Sequence, residues 1–446
     1  MGSFVSYDLE DPNAPVDIDF TNQTLDDRIT FTRASSAWGF DATGTLTSVA
    51  SGEPVFSYNP VNLVNPGIEI FGGRIEKVRN NSMAGAVVGS PGTLPTNWSI
   101  TFNTVTGLSK SVVATGTDSG IPYIDIRISG TASGSGSVIV AFDIVDSQTS
   151  KARVNANQIT SLAVFQKLIA GSLNGCSNPK LSLGKYDADG IFLSAFVDTG
   201  KAPTGIALNK QYYTVLATAP TTTGYGQARL QIDVTDASSI DLTLRIGAPS
   251  WQVSNDGGSL TSSRLVVTTG NEITFAAESI SLLLSSTNIP ANPTGLTVVG
   301  KITVPTGASI SSPGFVYQFL NTGSINNYIL GRYATAGLQN IVGKIVNSTG
   351  VNWSITDSLP TGSTCAFWAG MSAGDLTMQI IGNSILSSYS FSSSEADTVQ
   401  LPTGLNKVGI GCNPTGSSQL GGIIERLMFF NKRLTDSEAR TWAEAL

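Results

Sequence analysis

Ile124-Asp125-Ile126-Arg127-Ile128 alternates apolar and charged residues with a period of two, and the fold class follows from it. A strand turns successive side chains to opposite faces, so this pattern describes a strand with one face on a core and the other in water. The same alternation returns at Val138, Val140, Phe142 and Ile144, in Leu230-Gln231-Ile232-Asp233-Val234, and in Leu242-Thr243-Leu244-Arg245-Ile246. Turn residues separate such runs: Asn174-Gly175, Asp189-Gly190 and Asp256-Gly257-Gly258. Strand signals continue from Ile29 to Phe430. Many short strands with Gly- and Pro-rich turns predict an all-β chain of serial antiparallel β-sandwiches (jelly rolls), with an extended N-terminal arm.

One short helix is expected, at the C-terminus. Thr435-Asp436-Ser437-Glu438 is a capping box, in which the Thr435 hydroxyl and the Glu438 carboxylate satisfy free N–H groups reciprocally. Ala439, Trp442, Ala443 and Leu446 then fall on one apolar face, and Leu434 can staple against Ala439. Trp442 should pack this helix onto a sheet.

The 446 residues contain no histidine. That excludes imidazole as base, nucleophile or metal ligand, and with it the Ser-His-Asp triad and the Cys-His dyad. Charged residues make up 13% of the chain, about half the roughly 25% usual in soluble domains. The net charge of −7 is concentrated: Asp8, Glu10, Asp11, Asp17, Asp19, Asp26 and Asp27 precede the first base, Arg28. The rest of the chain is neutral, a poor footprint for nucleic acid. Cys176, Cys365 and Cys412 are odd in number and lack C-x-x-C spacing, so reduced thiols are expected. The N-terminus lacks a basic and apolar leader, and no apolar run reaches the roughly 18 residues that span a bilayer, so neither secretion signal nor membrane insertion is expected.

Five segments follow. Residues 1–28 are an acidic docking arm with little capacity to fold alone. Residues 29–83 are a β-hairpin region that includes Gly39-Phe40-Asp41-Ala42-Thr43-Gly44-Thr45-Leu46. Residues 84–255 form a first sandwich, 256–279 a linker, and 280–446 a second sandwich with the terminal helix.

Three stretches resemble proteins of tailed bacteriophages. Ile29-Thr30-Phe31-Thr32-Arg33-Ala34-Ser35-Ser36-Ala37, with Phe40-Asp41-Ala42-Thr43-Gly44 and Pro54-Val55-Phe56, is similar to the opening segment of virion and tail appendage proteins. Arg74-Ile75-Glu76-Lys77-Val78-Arg79-Asn80-Asn81 is similar to the segment that follows it there. Gly85 to Trp98, with Gly120-Ile121-Pro122-Tyr123-Ile124-Asp125-Ile126-Arg127, resembles the start of a carbohydrate-binding-module-like jelly roll. The run Gly421 to Glu438 resembles the closing strand and helix of concanavalin-A-like (laminin-G-like) sandwiches. The resemblance implies a virion protein made in the host cytoplasm, most simply a tail fibre or appendage, that docks through its N-terminal region on other virion proteins. It also implies contact with host-surface glycan and a homo-oligomer, a trimer among the arrangements open to it. A capsid or neck decoration protein or head fibre without receptor role, and a glycan depolymerase, are the alternatives.

No catalytic, cofactor or metal residues are assigned, and no enzyme activity is expected. Asp187-Ala188-Asp189-Gly190 lacks the later ligands of a calcium loop and reads as a hairpin turn. Gly409-Ile410-Gly411 has no helix after it and reads as close strand packing. Glycan recognition calls for aromatic faces beside amides, which selects Tyr328, Trp353, Asn326 and Asn352. Trp368 reads as core. The docking candidates are Asp8, Glu10, Asp11, Asp17 and Asp19. Asp357, Asp375, Glu395, Asp397 and Glu425 are among the carboxylates of the last domain, read as solvated surface groups.

Overall fold

The computed structural model describes residues 15–64, 67–143, 152–154, 160–203, 208, 211–216, 224–254, 265–303, 314–335, 339–346, 352–358, 364–381, 389–390 and 400–446. Their strands form four antiparallel sheets of six or seven strands, with a separate two-stranded hairpin. The all-β expectation holds.

Sheets I and II make the first sandwich. Sheet I centres on Ser239–Ser254, flanked on one side by Thr160–Gly171 and on the other by Ile121–Ser133 and Arg74–Glu76. Sheet II places Phe192–Asp198, Cys176–Tyr186, Gly224–Val234, Gly136–Ala141 and Ser99–Asn103 side by side. The alternation that opened the sequence is realised here. Ile124, Ile126 and Ile128 are buried in the shared core with Leu230, Phe142 and Trp251, each worth roughly 1.5–3 kcal/mol of transfer free energy. Asp125 and Arg127 turn to the other face, where Asp125 meets Arg245 at 2.8 Å and Arg127 meets Asp241 at 2.8 Å.

Sheets III and IV make the second sandwich. Sheet III runs Val16–Asp19, Gly422–Phe430, Gly295–Thr303, Thr364–Ser372, Asp375–Ile381 and Tyr389–Ser390. Sheet IV runs Ile29–Thr32, Ser279–Leu283, Lys407–Ile410, Gly314–Asn321, Ser324–Thr335, Gln339–Val346 and Asn352–Ser358. Their core holds Tyr317 stacked on Phe367, with Phe319 edge-on to Phe429. The helix Asp436–Glu444 carries the expected reciprocal cap: Glu438 N–H donates to Thr435 Oγ1 (3.3 Å), and Thr435 N–H to Glu438 Oε2 (2.8 Å). Its Ala439 and Ala443 bury against Trp368, Met428 and Phe430, and Trp442 lies 5.4 Å from the Phe430 ring. Among the described residues, no helix is long and apolar enough to cross a membrane. The three cysteines are free thiols, with Cys365 and Cys412 buried.

The topology crosses the segment boundaries read from the sequence. Val16–Asp19 is an edge strand of sheet III, and Ile29–Thr32 an edge strand of sheet IV. Residues 15–32 are thus built into the second sandwich, with Val16, Ile18 and Phe20 in its core. Ile68–Ile70 pairs with Gly422–Phe430, while Arg74–Glu76 joins sheet I. The β-hairpin region 29–83 is a strap laced over both sandwiches. Strands of three or four residues cannot stand alone, and an existing sheet edge satisfies their backbone groups. Within the linker, Ile273–Phe275 pairs with Arg74–Glu76.

The strap's motif residues are turned inward. Arg33, Arg74, Glu76, Asn80 and Asn81 are all buried. Arg33 Nη1 donates to Glu278 Oε1 at 2.9 Å, and Glu278 Oε2 accepts from the Phe71 N–H at 2.8 Å. Asn81 Nδ2 donates to the carbonyls of Pro249 and Val266, and its Oδ1 accepts from the Thr268 N–H. These side chains replace ladder bonds where the chain passes between sandwiches. Burial pushes the Glu76 carboxyl up to about 7, against four donors that favour its ionised form: Ser250 Oγ–H, Trp251 N–H, Val78 N–H and Gln252 Nε2–H.

Candidate functional site

Each sheet has one face on a core, so a binding surface must come from the outer faces. That of sheet III carries the terminal helix on Val299, Trp368, Met428 and Phe430. That of sheet I carries the hairpin Ala37–Phe40 and Leu46–Val49, whose Phe40 and Leu46 pack on Ile121, Phe165 and Ala248. The hairpin's turn is held by Asp41 Oδ1, which accepts from Thr43 N–H, Thr43 Oγ1–H and Thr45 N–H. The Thr43 hydroxyl first among these holds that carboxyl below the usual range.

The outer face of sheet IV receives one of the sequence's glycan candidates. Tyr328 is half-buried and stands opposite Val346 in the ladder, which in turn stands opposite Asn352. Trp353 takes the register position across from Ile345, which pairs with Ile329; both isoleucines are buried in the core. The side chains of Asn326, Asn352 and Trp353 lie outside the described residues. At the end of this face is a cleft of about 440 Å³ lined by Leu283, Leu284, Ile289, Leu405 and Asn406. Two of its polar residues satisfy each other: Asn406 Nδ2 donates to Thr322 Oγ1 at 2.8 Å, and Thr322 N–H donates to Asn406 Oδ1.

The outer face of sheet II is built differently. The register sets Ser182 opposite Arg229, Gly184 opposite Gln227, and Tyr186 opposite Tyr225. Because Ala228 and Leu230 point into the core, Gln227 and Arg229 point out. Arg229 lies across Gly184, where a Cβ would stand 2.5 Å from the guanidinium carbon. Its Nε donates to Gln227 Oε1 at 2.8 Å, and its Nη2 donates to the Tyr186 hydroxyl oxygen. Gln227 Nε2 donates to the Asp143 carbonyl at 2.7 Å, which locks the amide. The guanidinium carbon lies 5.7 Å from the Tyr186 ring centre and 5.6 Å from that of Phe192, and the two rings meet edge to face at 5.5 Å.

Phe192 is 52% exposed, and its neighbours Ile191 and Leu193 are exposed too, while Arg229 is 9% exposed. These residues flank the turn at Asp187-Ala188-Asp189-Gly190, where Asp187 Oδ1 accepts from the Asp189 and Ile191 N–H groups. It is the hairpin turn the sequence predicts. Burial pulls the Arg229 guanidinium below the usual arginine range, opposed by the Tyr186 contact. Arg245, on sheet I, moves the other way because Asp125 faces it.

Of the docking candidates, Asp8, Glu10 and Asp11 lie outside the described residues. Asp17 accepts from Arg426 Nε at 2.8 Å on the neighbouring strand, and Asp19 Oδ1 accepts from the Thr21 N–H. The antiparallel pairing of Val16–Asp19 with Gly422–Phe430 brings Asp17 beside a base of its own chain, so this acid already has a partner. Of the last domain's carboxylates, Asp375 is paired with Arg433 and Glu425 with Lys301. Glu395 and Asp397, and the Asp357 side chain, lie outside the described residues. Among the described residues, no group of three His, Cys, Asp or Glu side chains could hold a metal ion. Trp368 is buried, with its Nε1–H on Gln379 Oε1. Gly409 sits where a Cβ would meet the Cys412 carbonyl at 2.4 Å, the close packing expected there.

Sequence reasoning missed Arg229, Gln227 and Tyr186 as a set. The signal was the outward row Tyr225, Gln227, Arg229, Gln231 and Asp233, polar at every second position. Only the pairing of Cys176–Tyr186 with Gly224–Val234 brings Tyr186 to that row.

No protein-family model matches the sequence, and no curated protein matches it. Among solved structures, the chain is similar to the NanB sialidase of Streptococcus pneumoniae, at 21% identity and a TM-score of 0.28, over 36% of this chain and 26% of that one. It thus spans about a quarter of the length of that sialidase. It is also similar to the CBM40 of the Ruminococcus gnavus IT-sialidase, at 14% identity and a TM-score of 0.27, over 34% of this chain and 84% of that one. A third is the CBM2 module of the evolved Dit of Lactobacillus casei BL23 phage J-1, at 14% identity and a TM-score of 0.24, over 36% of this chain and 71% of that one.

Proposed function

We propose that this chain is a non-catalytic glycan-binding protein of a tailed-phage virion, an appendage or fibre component that engages host-surface glycan on the outer face of sheet II. The observation that carries the glycan reading is the Tyr186, Phe192, Gln227 and Arg229 cluster. It combines the exposed Phe192 ring for sugar C–H surfaces, set edge to face on the buried Tyr186, an amide and a guanidinium held in place by hydrogen bonds, and an exposed apolar hairpin. The virion reading rests on the resemblance of residues 29–56, 74–81 and 85–127 to phage appendage proteins, and a homo-oligomer belongs to the same reading.

Titration calorimetry of the full chain against a panel of bacterial surface polysaccharides tests the first part. Binding that falls at least tenfold in Phe192→Ala, with an unchanged circular dichroism spectrum, supports it. No binding across the panel removes the receptor role and leaves a decoration protein. New reducing ends in the same mixtures would establish a depolymerase instead. An antibody against the chain that fails to label phage particles from the strain encoding it would remove the virion assignment.

A further inference from the structure

We infer that the sheet II site selects a sugar residue carrying a carboxylate, and that Arg229 is the group that reads it. This rests on the glycan-binding reading and deepens it. A guanidinium offers five N–H donors in a planar fork. Arg229 uses Nε on Gln227 and Nη2 on Tyr186, and its Nη1 makes no hydrogen bond among the described residues. It also forms no ion pair there. The buried Arg33 and the partly buried Arg245 each face a carboxylate.

Several acids of sheet II and the segments beside it already have partners. Asp143 meets Arg79, Asp233 meets Lys180 at 2.8 Å, and Asp198 meets Lys201 at 2.9 Å. Asp187 is held in the hairpin turn. Among the described residues, sheet II therefore presents a cation that no carboxylate faces. A buried charge without a partner is costly, and a ligand anion that reaches Nη1 relieves that cost. The planar fork matches a carboxylate better than a tetrahedral anion, and the exposed Phe192 ring lies 5.6 Å from the guanidinium carbon, where the sugar ring attached to that carboxylate would rest. Gly184 is a positioning residue, because the guanidinium lies flat only where no Cβ stands.

The test uses the full chain and four probes by titration calorimetry: a panel of uronate- and ulosonate-containing polysaccharides, the same polymers after chemical reduction of their carboxyl groups, dextran sulfate, and neutral dextran and xylan. The expected result is binding to at least one acidic polymer, weakened tenfold or more by carboxyl reduction and by Arg229→Gln. Gly184→Ala, which keeps the charge and shifts its seat, should weaken the same polymer several-fold without altering the melting temperature by more than a few degrees. Equal affinity for the acidic polymer and its reduced form, or an unchanged affinity in Arg229→Gln, overturns the inference while the glycan reading stands. Dextran sulfate bound as tightly as the acidic polymer and lost in Arg229→Gln overturns carboxylate selection in favour of a general anion site. Absence of binding to every probe overturns both readings.

Discussion

Arg33 and Glu278 lie 245 positions apart in the chain and meet as a buried ion pair, Nη1 to Oε1 at 2.9 Å. Arg33 also donates to the carbonyls of Ser35 and Ala50, so the pair ties the strap to the segment that joins the sandwiches. Removing one partner leaves an uncompensated charge out of water, which costs about 3–5 kcal/mol. Arg33→Met and Glu278→Met should each lower the urea midpoint strongly. The double variant should recover much of the loss, and a double variant as weak as the sum of the singles would refute the pairing as the cause.

Glu76 gives the junction a pH dependence of defined sign. Burial raises its folded value to about 7 from 4.5. The folded state then binds more protons than the unfolded state between those values, so stability falls as pH rises from about 4.5 to 7 and levels off above. Asp241, which its hydrogen bond to Arg127 holds below 3.8, acts only at lower pH and so outside this window. The contribution is roughly 3 kcal/mol at about 1.4 kcal/mol per pH unit. Urea unfolding at pH 5, 6, 7 and 8 should show this slope in the natural chain, and Glu76→Gln should flatten it.

Phe20 is fully buried in the second core although it belongs to the acidic N-terminal segment. Phe20→Ala should cost about 3–5 kcal/mol, and deletion of residues 1–28 should destabilise the second sandwich instead of leaving it intact. Asp17→Asn, which breaks a partly exposed pair with Arg426, should cost at most about 1 kcal/mol. A truncated chain with unchanged melting temperature would contradict the strand pairing.

Thr435 caps the only α-helix among the described residues through its hydroxyl. Thr435→Ala should lower stability by about 1 kcal/mol. Trp442→Ala should cost more, because it uncovers Phe430 on the outer face of sheet III. Urea melts of both variants check the order.

Much of this was legible along the chain. Period-two alternation at Ile124 to Ile128 and Leu242 to Ile246 sets all-β structure, because successive side chains of a strand must face opposite ways. The capping box at Thr435 and Glu438 and the turn at Asp187 are short-range hydrogen-bond chemistry, complete within four residues. The −7 charge and the missing histidines bound the chemistry without any structure. What tertiary structure alone decided is which strands are neighbours. Val16–Asp19 joins a strand some 400 residues away, Arg33 finds Glu278, and Tyr186 comes to Arg229 from 43 residues upstream. Alternation says that a side chain points outward but not what stands beside it. Strand pairing is non-local and set by how the whole chain closes its cores, so in the sequence the site is only a row of polar residues at alternate positions.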